Sequence, residues 1–233
     1  MKIIEEKNLK IQKNDNGLSN FFNKVFIWMF IGLLITAITG NIVASNYEIQ
    51  KLVFSIPLLP IILIIVELAL VFMLSRAVSK LNPRKAKLMF ILFSFVNGLS
   101  FSVIFLAYEI GTIAYAFFAA AILFGVFFIL GLLVKMDLSK VGNILFGALL
   151  TLIIVSVINM FIGSSVVNFG LSIVGLIIFL GLTLYDAAKL KKTYNQIKTE
   201  EKSVESLAII GALDFYLDFI NIFYFLLNLF GDN

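Results

Sequence analysis

The amino-acid sequence predicts an all-α integral membrane protein with seven transmembrane helices, and three observations carry that prediction. Of 233 residues, 61% are hydrophobic and 14% charged, with a mean hydropathy of +1.06. Soluble domains are roughly 45–50% apolar and 25% charged, and a water-soluble chain of this length could not hide so much apolar surface. Seven apolar stretches each run for roughly 20 residues, the length that crosses a hydrocarbon core of about 30 Å at 1.5 Å per residue. The basic residues, finally, fall almost entirely on alternate connections.

The first span, residues 22–44, follows a polar cytoplasmic tail, residues 1–21. It is too long for the apolar region of a signal peptide and lacks a small-residue cleavage site. The second, 53–75, contains Pro57 and Pro60, which are expected to kink it. The remaining spans are 88–108, 112–134, 142–163, 167–188 and 207–230, with Pro83 in the loop before the third. The longest polar connection, 189–206, is expected to be a solvated loop or a surface helix. No Pro/Gly/Ser-rich linker interrupts the chain, so residues 22–233 read as one seven-helix domain.

Lys2, Lys7, Lys10, Lys13 and Lys24 precede or open the first span. Arg76, Lys80, Arg84, Lys85 and Lys87 lie between the second and third, and Lys135 and Lys140 between the fourth and fifth. Lys189, Lys191, Lys192, Lys198 and Lys202 lie between the sixth and seventh. That places 17 of the 18 Lys and Arg on one side and only Lys51 on the other. The positive-inside rule then predicts a cytoplasmic N-terminus in a multi-pass protein of the cell membrane. The formal charge of +4 needs no nucleic-acid partner, because a basic collar facing anionic lipid headgroups accounts for it.

Histidine and cysteine are both absent. This excludes Ser-His-Asp and Cys-His nucleophiles, zinc sites of the usual nitrogen and sulfur kind, thiol redox chemistry and disulfides. The informative residues are then carboxylates inside the spans, each of which costs a few kcal/mol unless paired or hydrated. Four stand there: Glu67, Asp186, Asp214 and Asp218, and no Lys or Arg lies deep in any span to neutralise them. On the last span Asp214, Asp218, Asn221, Phe225 and Asn228 follow a 4-3-4-3 spacing, which is one stripe of a helix. The two amides suit packing as well as a pore lining, whereas a carboxylate is a costly way to obtain a hydrogen bond. Asn97-Gly98 in the third span and Asn159 in the fifth read as close packing and amide contacts.

Leu184-Tyr185-Asp186 at the end of the sixth span and Leu217-Asp218-Phe219-Ile220-Asn221 in the seventh carry a resemblance to a known family. Lys135-Met136-Asp137-Leu138-Ser139, Asn159 and Asn97-Gly98-Leu99 support it. The chain resembles the transmembrane Bax-inhibitor-motif, or Bax inhibitor-1-like, proteins, most closely their bacterial branch, and the resemblance covers nearly the whole chain. It implies six helices around a central seventh, in a bacterial inner (plasma) membrane. It also implies that Asp186 and Asp218 share a proton in a pH-sensitive calcium leak channel, with Arg76 as the candidate bridge to that pair. In related bacterial proteins an arginine near the end of the last span can pair with the acid of the second. Asn228 stands at that position here, so Glu67 loses that partner, and Asp214 adds an acid to the seam.

Two carboxylates in contact cannot both ionise cheaply, so the pair holds one proton until a cation or Arg76 offsets the repulsion. Ca²⁺ takes oxygen ligands, so Asp186 and Asp218 are a candidate weak Ca²⁺ site. Asp214, Asn221 and Asn228 line the seam around that site. Ca²⁺ enters as transported ion, with no tightly bound cofactor. Three rivals remain at this stage. A paired-aspartate intramembrane protease is disfavoured because the second site reads Gly211-Ala212-Leu213-Asp214, so no enzymatic activity is expected. A non-conducting regulator of a partner such as a membrane protease and a proton-coupled transporter both fit the same composition.

Overall fold

A computed structural model describes residues 2–56 and 58–231, with side chains from Gly17 onward except that of Phe54. The element order is α1 (Lys2–Ser45), α2 (Tyr47–Phe54), α3 (Leu59–Ser79), α4 (Pro83–Ala107), α5 (Ile110–Leu133), α6 (Ser139–Ile162), α7 (Ser165–Ile197) and α8 (Glu201–Gly231). Among the described residues seven helices are long and apolar enough to cross a membrane: α1 through its Gly17–Ser45 part, and α3 to α8. The seven-span, all-helical expectation holds.

Several boundaries move, each for a local reason. Pro60 lies in the first turn of α3, where its missing N–H has no helical partner to lose, so it starts the helix instead of kinking it. Pro57 lies outside the described residues, as do the side chains of Lys2, Lys7, Lys10 and Lys13. Pro83 likewise opens α4, behind Asn82, whose side chain accepts the Lys85 N–H at 3.1 Å. The 189–206 connection is mostly helical: α7 continues to Ile197 and α8 begins at Glu201, leaving a short turn. Its Lys and Glu residues are good helix formers, so both helices continue past their apolar parts. The unexpected α2 fills the first connection, capped by Asn46, whose Oδ1 accepts the Glu48 and Ile49 N–H groups.

The packing is uneven. α8 is the most buried span, with 72% of its apolar window covered, and it packs against α7, α5, α1, α4 and α3. Around it α3 packs on α4, α4 on α1, α5 on α7 and α7 on α6. Phe22 and Phe26 of α1 meet Phe128 of α5 edge-on, at centroid distances of 5.2 and 4.9 Å, and close the arc on that side. The ends of the arc, α3 and α6, do not form a packed pair, and α6 is held chiefly by α7, with only 6% of its window buried. A cavity of about 800 Å³ lies between Leu68 of α3 and the facing sides of α6, α7 and α8.

Small residues set the closest approaches. A Cβ on Gly131 of α5 would overlap the Leu184 carbonyl of α7, and a Cβ on Gly98 of α4 would overlap Thr39 of α1. The expectation of close packing at Asn97-Gly98 is met at this second contact. Asn159 acts differently from an interhelical amide. It exchanges hydrogen bonds with the Ser164 backbone at 3.2 Å each, clasping the turn at Gly163, whose φ of +69° suits glycine.

Candidate functional site

Antiparallel packing of α7 on α8 sets Asp186 opposite the Asp214–Asp218 turn, because one polar position on each apolar helix finds the other instead of lipid. Asp218 lies within electrostatic reach of both Asp186 and Asp214, and beside Thr183, whose hydroxyl donates to the Phe179 carbonyl at 2.8 Å. It is 3% exposed, and its Oδ2 has no hydrogen-bond partner among the described residues. Asp186 and Asp214 are half-buried, and Lys189, one turn from Asp186, is the cation that acts on both. The Lys189 ammonium itself sits over the Tyr185 ring, 5.7 Å from its centroid. The structure therefore brings Asp186, Asp214 and Asp218 together. Thr183 was not anticipated; its place one turn before Asp186 on the same helix face was the available signal.

Arg76 is not brought to this cluster. It is exposed in the last turn of α3, off the buried stripe of Leu70, Leu74 and Ala77, and no ion pair joins it to Asp186 or Asp218. The implied arginine bridge is thus not formed in this arrangement. Glu67 is half-buried on the other side of the bundle, where it accepts the Ser100 hydroxyl at 2.6 Å and is hydrogen-bonded by the Asn97 amide.

From Glu67 a polar chain crosses the bundle. The fully buried Tyr216 of α8 donates its hydroxyl proton to Asn97 Oδ1 at 2.8 Å. That hydroxyl also lies 2.6 Å from Thr36 Oγ1 of α1, which in turn is 2.9 Å from the Ser94 carbonyl and 3.0 Å from the Gly32 carbonyl. Four helices, α3, α4, α8 and α1, share this network. Sequence reasoning missed Tyr216, because one tyrosine in an aromatic run reads as core; its hydroxyl, which needs a partner when buried, was the overlooked clue.

The rest of the stripe faces the cavity. Asn221, Phe225 and Asn228 all line it, together with Leu217 and Tyr224. Asn221 donates to the Leu217 carbonyl at 2.8 Å within its own helix, and Asn228 Oδ1 accepts the Tyr108 hydroxyl at 3.1 Å. Outside the spans, Asp137 accepts the Ser139 N–H at 3.1 Å and the Ser139 hydroxyl at 2.6 Å. Those bonds, with the charge of Lys192, hold its carboxyl below the ordinary aspartate value. No group of three or more acidic side chains among the described residues is arranged to hold a metal ion.

Residues 18–233 match the family model described as "Inhibitor of apoptosis-promoting Bax1". The chain is 39% identical over 217 residues to "Inner membrane protein YbhL" of Escherichia coli K12, covering 93% of each chain. It is 34% identical to uncharacterized proteins of Borreliella burgdorferi and Deinococcus radiodurans, in each case over 98% of this chain and 97% of the relative. The chain belongs to the Bax1 inhibitor family of membrane proteins.

Proposed function

We propose that this family member is a pH-sensitive calcium leak channel of the bacterial inner membrane, with its N-terminus in the cytoplasm. The observation that carries the reading is the convergence of Asp186, Asp214 and Asp218 from two spans around a buried carboxylate oxygen that lacks a hydrogen-bond partner. Three carboxylates in mutual electrostatic reach cannot all ionise cheaply, so the number of protons they hold depends on pH. Each proton released raises their demand for a cation, and Ca²⁺, which prefers oxygen ligands, answers it. A leak pathway calls for weak sites of this kind, because an ion that must leave cannot be bound tightly. Arg76 and Glu67, both remote from the cluster here, take part only if α3 moves.

The test is Ca²⁺ flux into proteoliposomes measured across pH, with the wild type beside Asp186→Asn and Asp218→Asn. Flux whose pH dependence is flattened in both variants is the expected result. Wild-type flux at every pH in both variants would remove the carboxylates from the mechanism. No flux from the wild type at any pH would transfer the reading to a non-conducting partner of another membrane protein, with the exposed flank of α6 as the docking face.

A further inference from the structure

The 800 Å³ cavity between α3, α6, α7 and α8 is walled largely by apolar side chains, but amides and hydroxyls are set among them. Ser156, Asn159, Asn168, Asn221, Tyr224 and Asn228 all line it, whereas no Asp, Glu, Lys or Arg does. Ser156 and Asn168 are exposed, and no described residue hydrogen-bonds the Asn168 amide. An amide or hydroxyl turned toward hydrocarbon without a partner costs on the order of 2 kcal/mol or more. Asn159, Asn221 and Asn228 have protein partners. The exposed Ser156 hydroxyl and Asn168 amide in a roomy space are what ordered water requires, and at about 30 Å³ each the cavity has room for roughly 25 waters.

Its position is equally informative. Asn159 ends α6, Asn168 begins α7 and Asn228 ends α8, so the mouth lies on the lysine-poor face of the bundle, opposite the basic connections. Its inner end reaches Phe179 and Leu217. Thr183, the neighbour of Asp218, is one helical turn beyond Phe179, and Leu217 directly precedes Asp218 in the chain. Along its wall, the Phe225 ring fills the space that a side chain at Gly175 would need, with its centroid 6.0 Å from that of Phe179.

We propose that this cavity is a water-filled, charge-free vestibule that brings hydrated cations from the lysine-poor face to the aspartate cluster, with Phe179 and Leu217 at its inner end. The cation assignment rests on the leak reading; the hydration of the cavity does not. Neutral oxygens solvate a cation without trapping it, so the vestibule supplies the carboxylates without competing with them.

The chain contains no cysteine, so one introduced thiol is the only reactive one. Ser156→Cys is compared with Ile154→Cys and Ile158→Cys, neighbours on the same helix that are exposed but lie outside the cavity lining. Sealed vesicles of each orientation are treated with a membrane-impermeant, positively charged methanethiosulfonate. Ser156→Cys is expected to react roughly tenfold or more faster than both controls, because a thiol needs water to form its reactive thiolate. Reaction from the face opposite the N-terminus supports the vestibule, and modification is then expected to reduce Ca²⁺ flux several-fold. Equal, slow reaction at all three positions means a lipid-filled groove and overturns the proposal. If Ser156→Cys reacts but the wild type passes no Ca²⁺, the leak reading fails while the hydrated cavity stands. If Ca²⁺ flows yet Ser156→Cys stays unreactive, the ion takes another path and the vestibule falls alone.

Discussion

Two polar centres share two turns of α8 and solve opposite problems. On one side, Tyr216 is fully enclosed, and its hydroxyl has a partner on α4 and another on α1. Two residues away in each direction, Asp214 and Asp218 face Asp186 of α7, and the buried carboxylate has one oxygen without a hydrogen-bond partner among the described residues. A satisfied network in a low-dielectric interior holds its helices in one arrangement. A carboxylate cluster lacking that satisfaction changes state when a proton or cation arrives. The bundle therefore pairs a fixed clasp with a responsive site, a few ångströms apart along one helix.

The largest expected effect separates the two sides. Asp218→Asn is expected to abolish most of the pH dependence of Ca²⁺ flux while leaving the thermal midpoint unchanged or raised, since an amide never has to ionise in the buried site. A midpoint lowered with the pH profile intact would make Asp218 part of the clasp and collapse the distinction. Next, Tyr216→Phe should cost about 1–3 kcal/mol, because Asn97 and Thr36 each lose a buried partner. Thermal unfolding in detergent reads that loss, and the pH profile of the flux should keep its shape.

Glu67→Gln sharpens the comparison at the edge of the clasp. The neutral amide still accepts the Ser100 hydroxyl, so a stability change of at most about 1 kcal/mol is expected. A flattened flux profile in this variant would show that α3 carries part of the proton response. The smallest effect is at Asp137, held below the ordinary aspartate value by Ser139 and Lys192. A lowered folded-state value means that its contribution is present above the ordinary aspartate value and fades only as pH falls through the lowered one. Hydrogen exchange at the Ser139 amide, corrected for intrinsic rates, should therefore stay level from about pH 8 to 5 and rise only below about pH 4. Earlier loss would mean that the Ser139 hydrogen bonds do not protect the start of α6.

The contrast also explains what could be read without coordinates. Spans are written in one dimension: 20 apolar residues suffice to predict one, and the lysine tally supplies sidedness. The carboxylates were legible for the same reason, because charge inside an apolar run is conspicuous and the 4-3-4-3 spacing shows its face. Tyr216 was not, because its importance lies in Thr36 and Asn97, 180 and 119 residues away, which meet it only after packing. Pro60 misled because proline breaks a helix from within but starts one from its first turn, and the apolar run alone does not show where the turn begins. Arg76 was assigned by position along the chain, whereas its face on α3 decides what it reaches.

The unequal burial of the spans also has a consequence for how the chain is made. Synthesis runs from the N-terminus, and each span leaves the ribosome before the next exists. α6, with mean hydropathy 2.5 and little burial, is suited to wait in the bilayer as a solitary helix until α7 arrives. α8 emerges after the other six spans, is the least apolar of the seven at 1.6, and carries two aspartates and two asparagines. Lipid is a poor host for it; the earlier helices form its socket. Inserting α8 is thus the most demanding of the seven steps, and it depends on the six helices already in place.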